Sequence, residues 1–330
     1  MAVAGATVTR ALGHTASRGE RIPVLFIAGA ARSGSTLLDR VVGMHDGFCS
    51  SGELMFIWQR SLRENQLCGC GAPFHECDFW SAVCEQAFGV QPGEVDEQIA
   101  ESLKEAVDCK WRIPYMALPH LPPRSPELLA YGGLVERLYG AIRSVSEARV
   151  IVDSSKDPRH GLMLSKLPHI ELHVVHLVRD PRGVAFSWKR VRRRPEIHWQ
   201  VQNMQIKQVW GSASRWTTHN LVAEMLAASA ASYRRVRYED FVAEPVATLE
   251  RVLAPYRWSA PADAKVCGRE VMLEPAHTMA GNPMRFHVGG LKLRLDEEWR
   301  RAMPRRERLS VLATTWPLLG RYGYRLSGAA

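Results

Sequence analysis

The first residues that could do chemistry form a glycine-containing stretch near the amino terminus, "GAARSGST". Gly29 and Gly34 have the spacing of a loop that wraps phosphate groups with backbone N–H donors, and Thr36 takes its hydroxyl position. Nucleoside triphosphate loops carry a lysine just before that hydroxyl, where it reaches the β- and γ-phosphates. This chain has Ser35 there, and the nearest cation is Arg32 inside the loop. The stretch therefore predicts a phosphate ligand without a γ-phosphate.

The alternative for this stretch is a strand-to-helix turn that binds nothing. Ser33, Ser35 and Thr36 add hydroxyl donors to the backbone N–H groups, and Arg32 adds a positive charge. Such donors at a helix amino terminus suit an anion even without the lysine. We therefore favour phosphate binding over a plain turn.

A second anion site is indicated by "VRDPRGVAFSW". Arg179 ends an apolar run typical of a strand, and Ser187 follows eight residues later on the next predicted helix. An arginine at a strand end and a nearby hydroxyl can converge on one phosphate. Together with the first loop, this pair predicts a ligand with two separated phosphates.

The elements that position these residues alternate between strands and helices. Short apolar runs predict buried parallel strands, and the segments between them have helical spacing. This alternation predicts an α/β protein with a P-loop-like three-layer fold, in which helices flank a central, mostly parallel sheet. The predicted strands are Val24 to Ala30, Ala148 to Lys156, Glu171 to Asp180, and Ser232 to Phe241, the last running into a loop.

The domain organisation follows from where this alternation holds. Residues 1–20 lack apolar periodicity and are predicted to be a flexible leader, and residues 21–330 a single domain. The strand pattern fades in residues 61–146, which are rich in cysteine and helical or irregular pieces. We expect this inserted region to lie over the sheet edge and shape a substrate site.

Composition limits the partners. The 330 residues carry a formal net charge of +9 and a sequence pI of about 9.4, which favours an anionic ligand or surface. Lysine clustering is modest, so we do not expect nucleic acid as the partner. The sequence contains no run of 18 apolar residues, so we predict no transmembrane helix. Seven cysteines without a secretory signal favour a reducing compartment, and we expect a cytoplasmic protein.

The two phosphate motifs together resemble the family of sulfotransferases that use 3′-phosphoadenosine 5′-phosphosulfate (PAPS). The segment "RSGSTLLDRVVGMHDGFCSSGE" is similar to the R-S-G-T-T-L … H-P … G-E stretch of tyrosylprotein sulfotransferases, and "SSKDP" resembles their K-D-P segment. "HTMAGNPMRF" and "WPLLGRYGY" resemble parts of bacterial sulfotransferase-family proteins. The resemblance implies PAPS as cosubstrate, which explains the missing lysine because PAPS has no γ-phosphate.

The resemblance also implies roles for individual residues. Arg32 takes the basic place beside the bridging oxygen of the leaving phosphate, and arginine there stabilises charge rather than donating a proton. Asn282 and Arg285 are expected to close over the nucleotide. The implied 5′-phosphate ligands are Arg32, Ser33, Gly34, Ser35 and Thr36, and the implied 3′-phosphate ligands are Arg179 and Ser187.

The acceptor hydroxyl needs a base as it attacks sulfur. Glu53 occupies the place of the catalytic glutamate of the tyrosylprotein enzymes, although "SSGE" also reads as a helix start. We favour the catalytic role for Glu53 and expect Lys156 to stabilise the sulfuryl oxygens. His45 and His160 are fallback bases. This chemistry requires no metal, since arginines and amides supply the electrostatic stabilisation.

Two other classes of function remain open at this stage. A P-loop kinase or NTPase would use ATP with Mg²⁺, with Asp153 as its metal-binding aspartate, but the lysine is missing. A non-catalytic nucleotide-binding protein would not need Glu53. The acceptor itself stays open among carbohydrate, lipid, peptidyl tyrosine and a small metabolite, and so does the oligomeric state.

Two further features have an open role. Cys68, Cys70, Cys77 and Cys84 lie within seventeen residues around His75 and could bind zinc. Their spacing is not that of the usual paired zinc knuckles, so we interpret the segment as a reduced lid loop packed by aromatic side chains and predict no metal site. The basic run Lys189 to Arg194 could contact an acidic acceptor, a membrane surface or the nucleotide's edge, or form a solvated loop.

Overall fold

The structure is a computed structural model that describes residues 21–119, 121, 125–257 and 265–325. The predicted flexible leader, residues 1–20, lies outside the described residues. So does part of the proline-rich stretch near residue 120.

Five parallel strands form the central sheet, in the order β2-β3-β1-β4-β5. This arrangement confirms the predicted α/β fold with a parallel sheet. Four strands match predicted ones, but β2 was not foreseen, since "FCSSG" is short and has no apolar run. The strands are β1 (Ile22–Ala28), β2 (Phe48–Gly52), β3 (Val150–Lys156), β4 (Ile170–Val178) and β5 (Ser232–Arg237).

The central strand β1 is buried on both faces, as its continuous apolar sequence requires. Val24 and Phe26 point into one hydrophobic cluster, whereas Leu25 and Ile27 point into another on the opposite face. All four are at most 1% exposed. Helices must therefore cover the sheet on both sides.

One face is covered by the helices Ser35–Gly43, Tyr238–Ala243 and Pro245–Leu253, and the other by helices from residues 78–164. In chain order, the first six described helices are α1 (Ser35–Gly43), α2 (Asp78–Phe88), α3 (Glu97–Val107), α4 (Ile113–Met116), α5 (Pro126–Ser146) and α6 (Pro158–Leu164). The remaining helices are α7 (Pro181–Lys189), α8 (Val209–Met225), α9 (Tyr238–Ala243), α10 (Pro245–Leu253), α11 (Trp299–Ala302) and α12 (Arg305–Arg321).

A small antiparallel sheet was not foreseen. Its strands are β6 (Val266–Cys267), β7 (Glu270–Leu273) and β8 (Gly289–Lys292), in the order β6-β7-β8. Val271 and Leu273 pack into the same cluster as α1 and α10. This sheet holds the chain that runs from β7 to β8 against the phosphate loop.

The described part of region 61–146 is largely helical. Its helices α2, α3 and α5 pack together and against the sheet face that Phe26 buries. Trp80 and Tyr139 are among the largest fully buried side chains. The described residues of this region thus build hydrophobic core, and a substrate-side role stays a prediction.

The strand order creates a switch point beside β1. The chain passes from β1 to β2 at one edge, and later crosses from β3 to β4 on the other side of β1. In open parallel sheets, ligands bind outside the carboxyl ends of the strands at such a point. The loop Gly29 to Gly34 lies there.

No described helix is long and apolar enough to cross a membrane.

Candidate functional site

A cleft of about 700 Å³ opens at the carboxyl ends of the parallel strands. Each of the five strands, or the loop that follows it, contributes a side chain to the cleft. In the spatial order of the strands these are Glu53 after β2, Lys156 ending β3, Arg32 after β1, Arg179 after β4 and Tyr238 after β5. Residues far apart in sequence thus meet because parallel strands end at one edge.

The phosphate loop enters α1 through Gly34. Gly34 has a φ of 90°, in the left-handed region, and precedes the first helical residue, Ser35. A Cβ at Gly34 would collide with the ring of Tyr238. Ser35 and Thr36 line the cleft at the amino terminus of α1, while Ser33 is buried and does not line it. The backbone here has the geometry of an anion site.

Arg32 lies in the cleft beside a second cation. The guanidinium of Arg32 is 4.7 Å from the centre of the Trp188 ring, and the ammonium of Lys207 is 3.9 Å from it. Burial, followed by the nearby Arg192, lowers the pKa of Arg32 to about 10. Burial, followed by Arg215 and Arg32, lowers the pKa of Lys207 to about 8. These cations repel one another, so an anion between them would be stabilised.

Arg179 has partners on three sides. Its guanidinium donates to the Arg32 carbonyl oxygen at 3.1 Å, pairs with the Asp296 carboxylate at 3.2 Å and lies 4.6 Å from the centre of the Tyr238 ring. Ser187, the second residue predicted to hold the 3′-phosphate, is buried on α7 and also lines the cleft. The structure therefore brings both residues to the same cleft as the loop.

Glu53 and Lys156 form an ion pair in the cleft wall. The Lys156 ammonium donates to Glu53 Oε1 and, at 3.3 Å, to the carbonyl oxygen of Ser154. Glu53 precedes the short turn of residues 54–56, but its carboxylate makes no capping hydrogen bond. The helix-start interpretation therefore does not explain the side chain.

Arg32 and Lys156 both have backbone conformations that non-glycine residues rarely adopt. Their φ angles are 72° and 67°, in the left-handed region. Such strain persists only where the surrounding structure enforces it, and it concentrates at functional sites. Here it places two cations at the ends of neighbouring strands.

The segment before β8 completes the cleft wall that contains Glu53 and Lys156. Its backbone is fixed to β2 and its continuation, because Met279 N donates to Ser51 O at 3.1 Å and Glu53 N donates to Met279 O at 3.0 Å. Asn282 N donates to Thr36 Oγ1 at 3.3 Å, and Asn282 lines the cleft. Asn282 is therefore placed beside the phosphate loop, and its contact with the nucleotide stays a prediction.

Arg285 lies elsewhere, which corrects our expectation that it closes over the nucleotide. It is 1% exposed and does not line the cleft. Its guanidinium donates at 2.5 Å to the carbonyl oxygens of Thr278 and Leu67. Arg285 therefore ties two backbone segments together behind the cleft.

The fallback bases are also outside the cleft lining. His45 is buried at the far end of α1, and burial lowers its pKa. His160 lies 3.4 Å from both the Asp153 carboxylate and the Tyr139 hydroxyl. Asp153, the residue required of a kinase-like metal site, is fully buried and accepts hydrogen bonds from Tyr139 and Ser155. It does not line the cleft.

Several cations of the cleft were missed, because they lie outside the recognisable motifs. Ten lysine and arginine side chains line it, against four carboxylates. Two of the ten belong to the basic run: Arg192 and Arg194 line the cleft, whereas Lys189 pairs with Glu307. The missed cations are Arg60, Lys207, Arg215, Lys292 and Arg294.

His219 on α8 is a further missed residue of the cleft lining. It hydrogen-bonds to the backbone of Gly29, and its Nδ1 atom has no partner among the described residues. Burial lowers its pKa, which favours the neutral imidazole. No sequence signal distinguished this histidine from the others.

The cysteine segment brings three of its four cysteines together, beside a histidine that the sequence analysis did not consider. The donor atoms of Cys68, Cys70 and Cys77 lie within 4.8 Å of one another and of His277. Cys84 is buried on α2 outside this group, and His75 Nε2 lies 2.8 Å from the carbonyl oxygen of Leu62. The nearby imidazole thus comes from a segment two hundred residues away.

The sequence matches the model of the Sulfotransferase family over residues 85–258. The match covers just over half of the chain, so this protein belongs to the sulfotransferase family. No curated protein matched the sequence.

Solved structures similar to this chain are also sulfotransferases. The sulfotransferase domain from the curacin biosynthetic pathway is 15% identical, with a TM-score of 0.48 over 94% of this chain and 100% of its own. The domain from the Synechococcus PCC 7002 olefin synthase is 17% identical, with a TM-score of 0.48 over 95% and 99%. Sulfotransferase STF9 from Mycobacterium avium is 10% identical, with a TM-score of 0.41 over 97% and 81%.

Proposed function

We propose that this protein transfers the sulfuryl group of PAPS to a hydroxyl acceptor and releases adenosine 3′,5′-bisphosphate. The observation that carries the proposal is the order of side chains along the sheet edge. A carboxylate and an ammonium, Glu53 and Lys156, stand at one end, Arg32 is central, and Arg179 stands at the other. This order suits a donor whose reacting sulfur and 3′-phosphate lie at opposite ends.

The nucleotide is held by backbone and side-chain donors. Ser35 and Thr36 present N–H groups and hydroxyls at the start of α1 to the 5′-phosphate, and the Arg32 charge lies beside them. Arg179 exchanges its Asp296 partner for the 3′-phosphate, with Ser187 as a further donor. A charge-assisted hydrogen bond of this kind contributes about 1.5–3 kcal/mol.

Glu53 acts as the base of the transfer. Its carboxylate takes the proton of the acceptor hydroxyl while the acceptor oxygen forms its bond to sulfur. The bond between sulfur and the bridging oxygen breaks, and Arg32 stabilises the charge left on the 5′-phosphate. Lys156 lies between these two residues and stabilises the sulfuryl oxygens. The acceptor is a hydroxyl of a carbohydrate, lipid, tyrosine or small metabolite.

The kinase alternative fits the cleft less well. It requires a carboxylate near the phosphates to hold Mg²⁺, and the candidate Asp153 is enclosed by Tyr139 and Ser155. The residue before Thr36 is serine rather than lysine. Both features favour a donor that is bound without the metal and lysine of kinases.

The test is calorimetric titration of the protein with adenosine 3′,5′-bisphosphate and, separately, with ATP and Mg²⁺. We expect tight binding of the bisphosphate without metal, and ATP with Mg²⁺ bound at least about tenfold more weakly, since ATP lacks the 3′-phosphate. Preference for ATP with Mg²⁺ would reject the sulfotransferase donor. Bisphosphate binding that needs Mg²⁺ would reject the metal-free site.

A further inference from the structure

The cluster formed by Cys68, Cys70, Cys77 and His277 has no role in the proposed transfer. Three members lie in the loop before α2, and the fourth comes from the segment after β7. Cys68 and Cys77 are buried, whereas Cys70 and His277 are exposed. Their donor atoms converge from two distant parts of the chain, which core packing alone does not require.

The distances match those of a tetrahedral zinc site. With Zn–S bonds of about 2.3 Å and a Zn–N bond of about 2.0–2.1 Å, two thiolates lie ~3.8 Å apart and a thiolate and imidazole ~3.6 Å apart. Cys77 Sγ is 3.7 Å from Cys68 Sγ and 3.8 Å from Cys70 Sγ. His277 Nδ1 is 3.3 Å from Cys77 Sγ and 3.9 Å from Cys68 Sγ. We propose that these four side chains bind one zinc ion.

The backbone of the loop is built for this convergence. Cys68 N donates to Ala72 O at 2.8 Å and Gly69 N to Thr278 O at 2.8 Å, which holds the loop against the histidine segment. A Cβ at Gly69 would collide with Thr278 and with the carbonyl of Ala276. Only glycine between the first two cysteines therefore allows this close approach.

The histidine is held in place from two sides. Its ring stacks on Phe79 with centroids 4.9 Å apart, and its carbonyl oxygen accepts from Trp80 Nε1 at 3.0 Å. Both aromatic residues follow Cys77 at the start of α2. Fixing the ring beforehand is what a metal-binding histidine requires.

Zinc explains the group better than a disulfide does. A disulfide would use two of the three thiols and leave the third thiol and His277 without a role. Thiolate and imidazole ligands favour zinc over hard cations such as Mg²⁺ or Ca²⁺. Four protein ligands also leave no open position, so the site is structural rather than catalytic.

The ion would secure the wall of the cleft. The chain continues from His277 to Met279, whose backbone pairs with that of Ser51 and Glu53, and then to Asn282 beside Thr36. Zinc would join this segment to the loop before α2. Its role is therefore to position Glu53 through the backbone, at a distance from the reacting atoms.

The test is the metal content of the full-length, untagged protein measured by plasma mass spectrometry. We expect about one zinc per chain in the wild type, and less than about a tenth in Cys77→Ser and His277→Ala, since three ligands bind poorly. Cys84→Ala removes a cysteine of the same segment outside the group, and Cys267→Ser removes a remote exposed one. Both controls should retain zinc.

Replacement by Co²⁺ gives a second readout, in case a variant fails to fold. Tetrahedral thiolate coordination predicts strong visible absorption from bound Co²⁺, and Cys70→Ser, at an exposed position, should lose most of this absorption because the remaining three ligands bind the ion poorly. A wild-type protein without metal, whether its thiols are free or joined in a disulfide, would overturn the proposal. So would unchanged zinc in Cys77→Ser. None of these readouts depends on sulfuryl transfer.

Discussion

At the scale of single residues, the assignment with the sharpest consequence is Glu53 as the base. Glu53→Gln keeps the shape of the side chain but cannot accept the acceptor's proton. We expect turnover of PAPS with a working acceptor to fall about 100- to 10,000-fold. The affinity for adenosine 3′,5′-bisphosphate should be unchanged, because the proposed placement of the nucleotide assigns Glu53 to the acceptor and not to the phosphates.

The matched control for this substitution is Glu196→Gln, since Glu196 also lines the cleft and pairs with an arginine at 2.8 Å. It should keep most of the turnover. Full activity in Glu53→Gln would remove Glu53 from the mechanism.

A second prediction at this scale concerns Lys207 and pH. The pKa of Lys207 is lowered to about 8 by burial, Arg215 and Arg32. A bound anion favours the charged ammonium, so bisphosphate affinity is full below pH 8 and falls as the pH rises above it. The fall is up to about tenfold per pH unit for one proton.

Titrations between pH 7 and 9.5 measure this dependence. Lys207→Arg keeps its charge over this range and should abolish the fall. The same fall in Lys207→Arg would assign it to another group.

At the scale of elements, the turn from β1 into α1 determines the phosphate site. Gly34→Ala would force a side chain into a φ of 90° and against the ring of Tyr238. We expect a loss of more than about 1 kcal/mol in the free energy of unfolding and weaker bisphosphate binding. Denaturant unfolding and calorimetry measure the two effects.

Gly133→Ala is the control for this prediction. Gly133 lies inside α5, and a Cβ there would meet nothing within 4 Å. Alanine should stabilise the helix by up to about 1 kcal/mol and leave binding unchanged. Equal behaviour of the two variants would mean that the turn does not constrain the site.

The elements that sequence predicted best were those with continuous apolar runs. β1 is apolar throughout, β4 is mostly apolar and β3 begins with three apolar residues, as strands buried on both faces require. β2 was missed because its sequence, "FCSSG", lies at the sheet edge and contains small polar residues. The small sheet was missed because its strands have only two to four residues.

The side chains of the site likewise divide into those beside a strong local sequence pattern, which could be predicted, and those without one, which could not. Gly34, Arg32 and Arg179 are next to strong strand and turn signals, so their place at the sheet edge could be predicted. The contact of Lys156 with Glu53 required the order of β2 and β3, which local patterns do not give. His277 meets the cysteines, and Lys207 meets the Trp188 ring, only because tertiary packing brings them together. Arg285 was placed wrongly because a motif shows which residue is near a site but not where its side chain points.

At the scale of the whole molecule, the account depends on one nucleotide lying across the sheet edge. Arg179 and Ser187 should then recognise the 3′-phosphate, while the loop before α1 recognises the 5′-phosphate. Each site belongs to a different strand, β4 or β1, and the parallel sheet sets the distance between them.

The measurement that tests this claim most directly is a calorimetric comparison of two ligands with two proteins. The ligands are adenosine 3′,5′-bisphosphate and adenosine 5′-monophosphate, and the proteins are the wild type and Arg179→Ala. Arg190→Ala is the control, since Arg190 also pairs with Asp296, at 3.0 Å, but does not line the cleft. It should behave as the wild type.

We predict that the wild type prefers the bisphosphate by about 10- to 100-fold and that Arg179→Ala loses most of this preference, while its affinity for the monophosphate changes little. If Arg179→Ala instead weakens both ligands equally, Arg179 does not hold the 3′-phosphate. The proposed placement of the nucleotide would then be wrong.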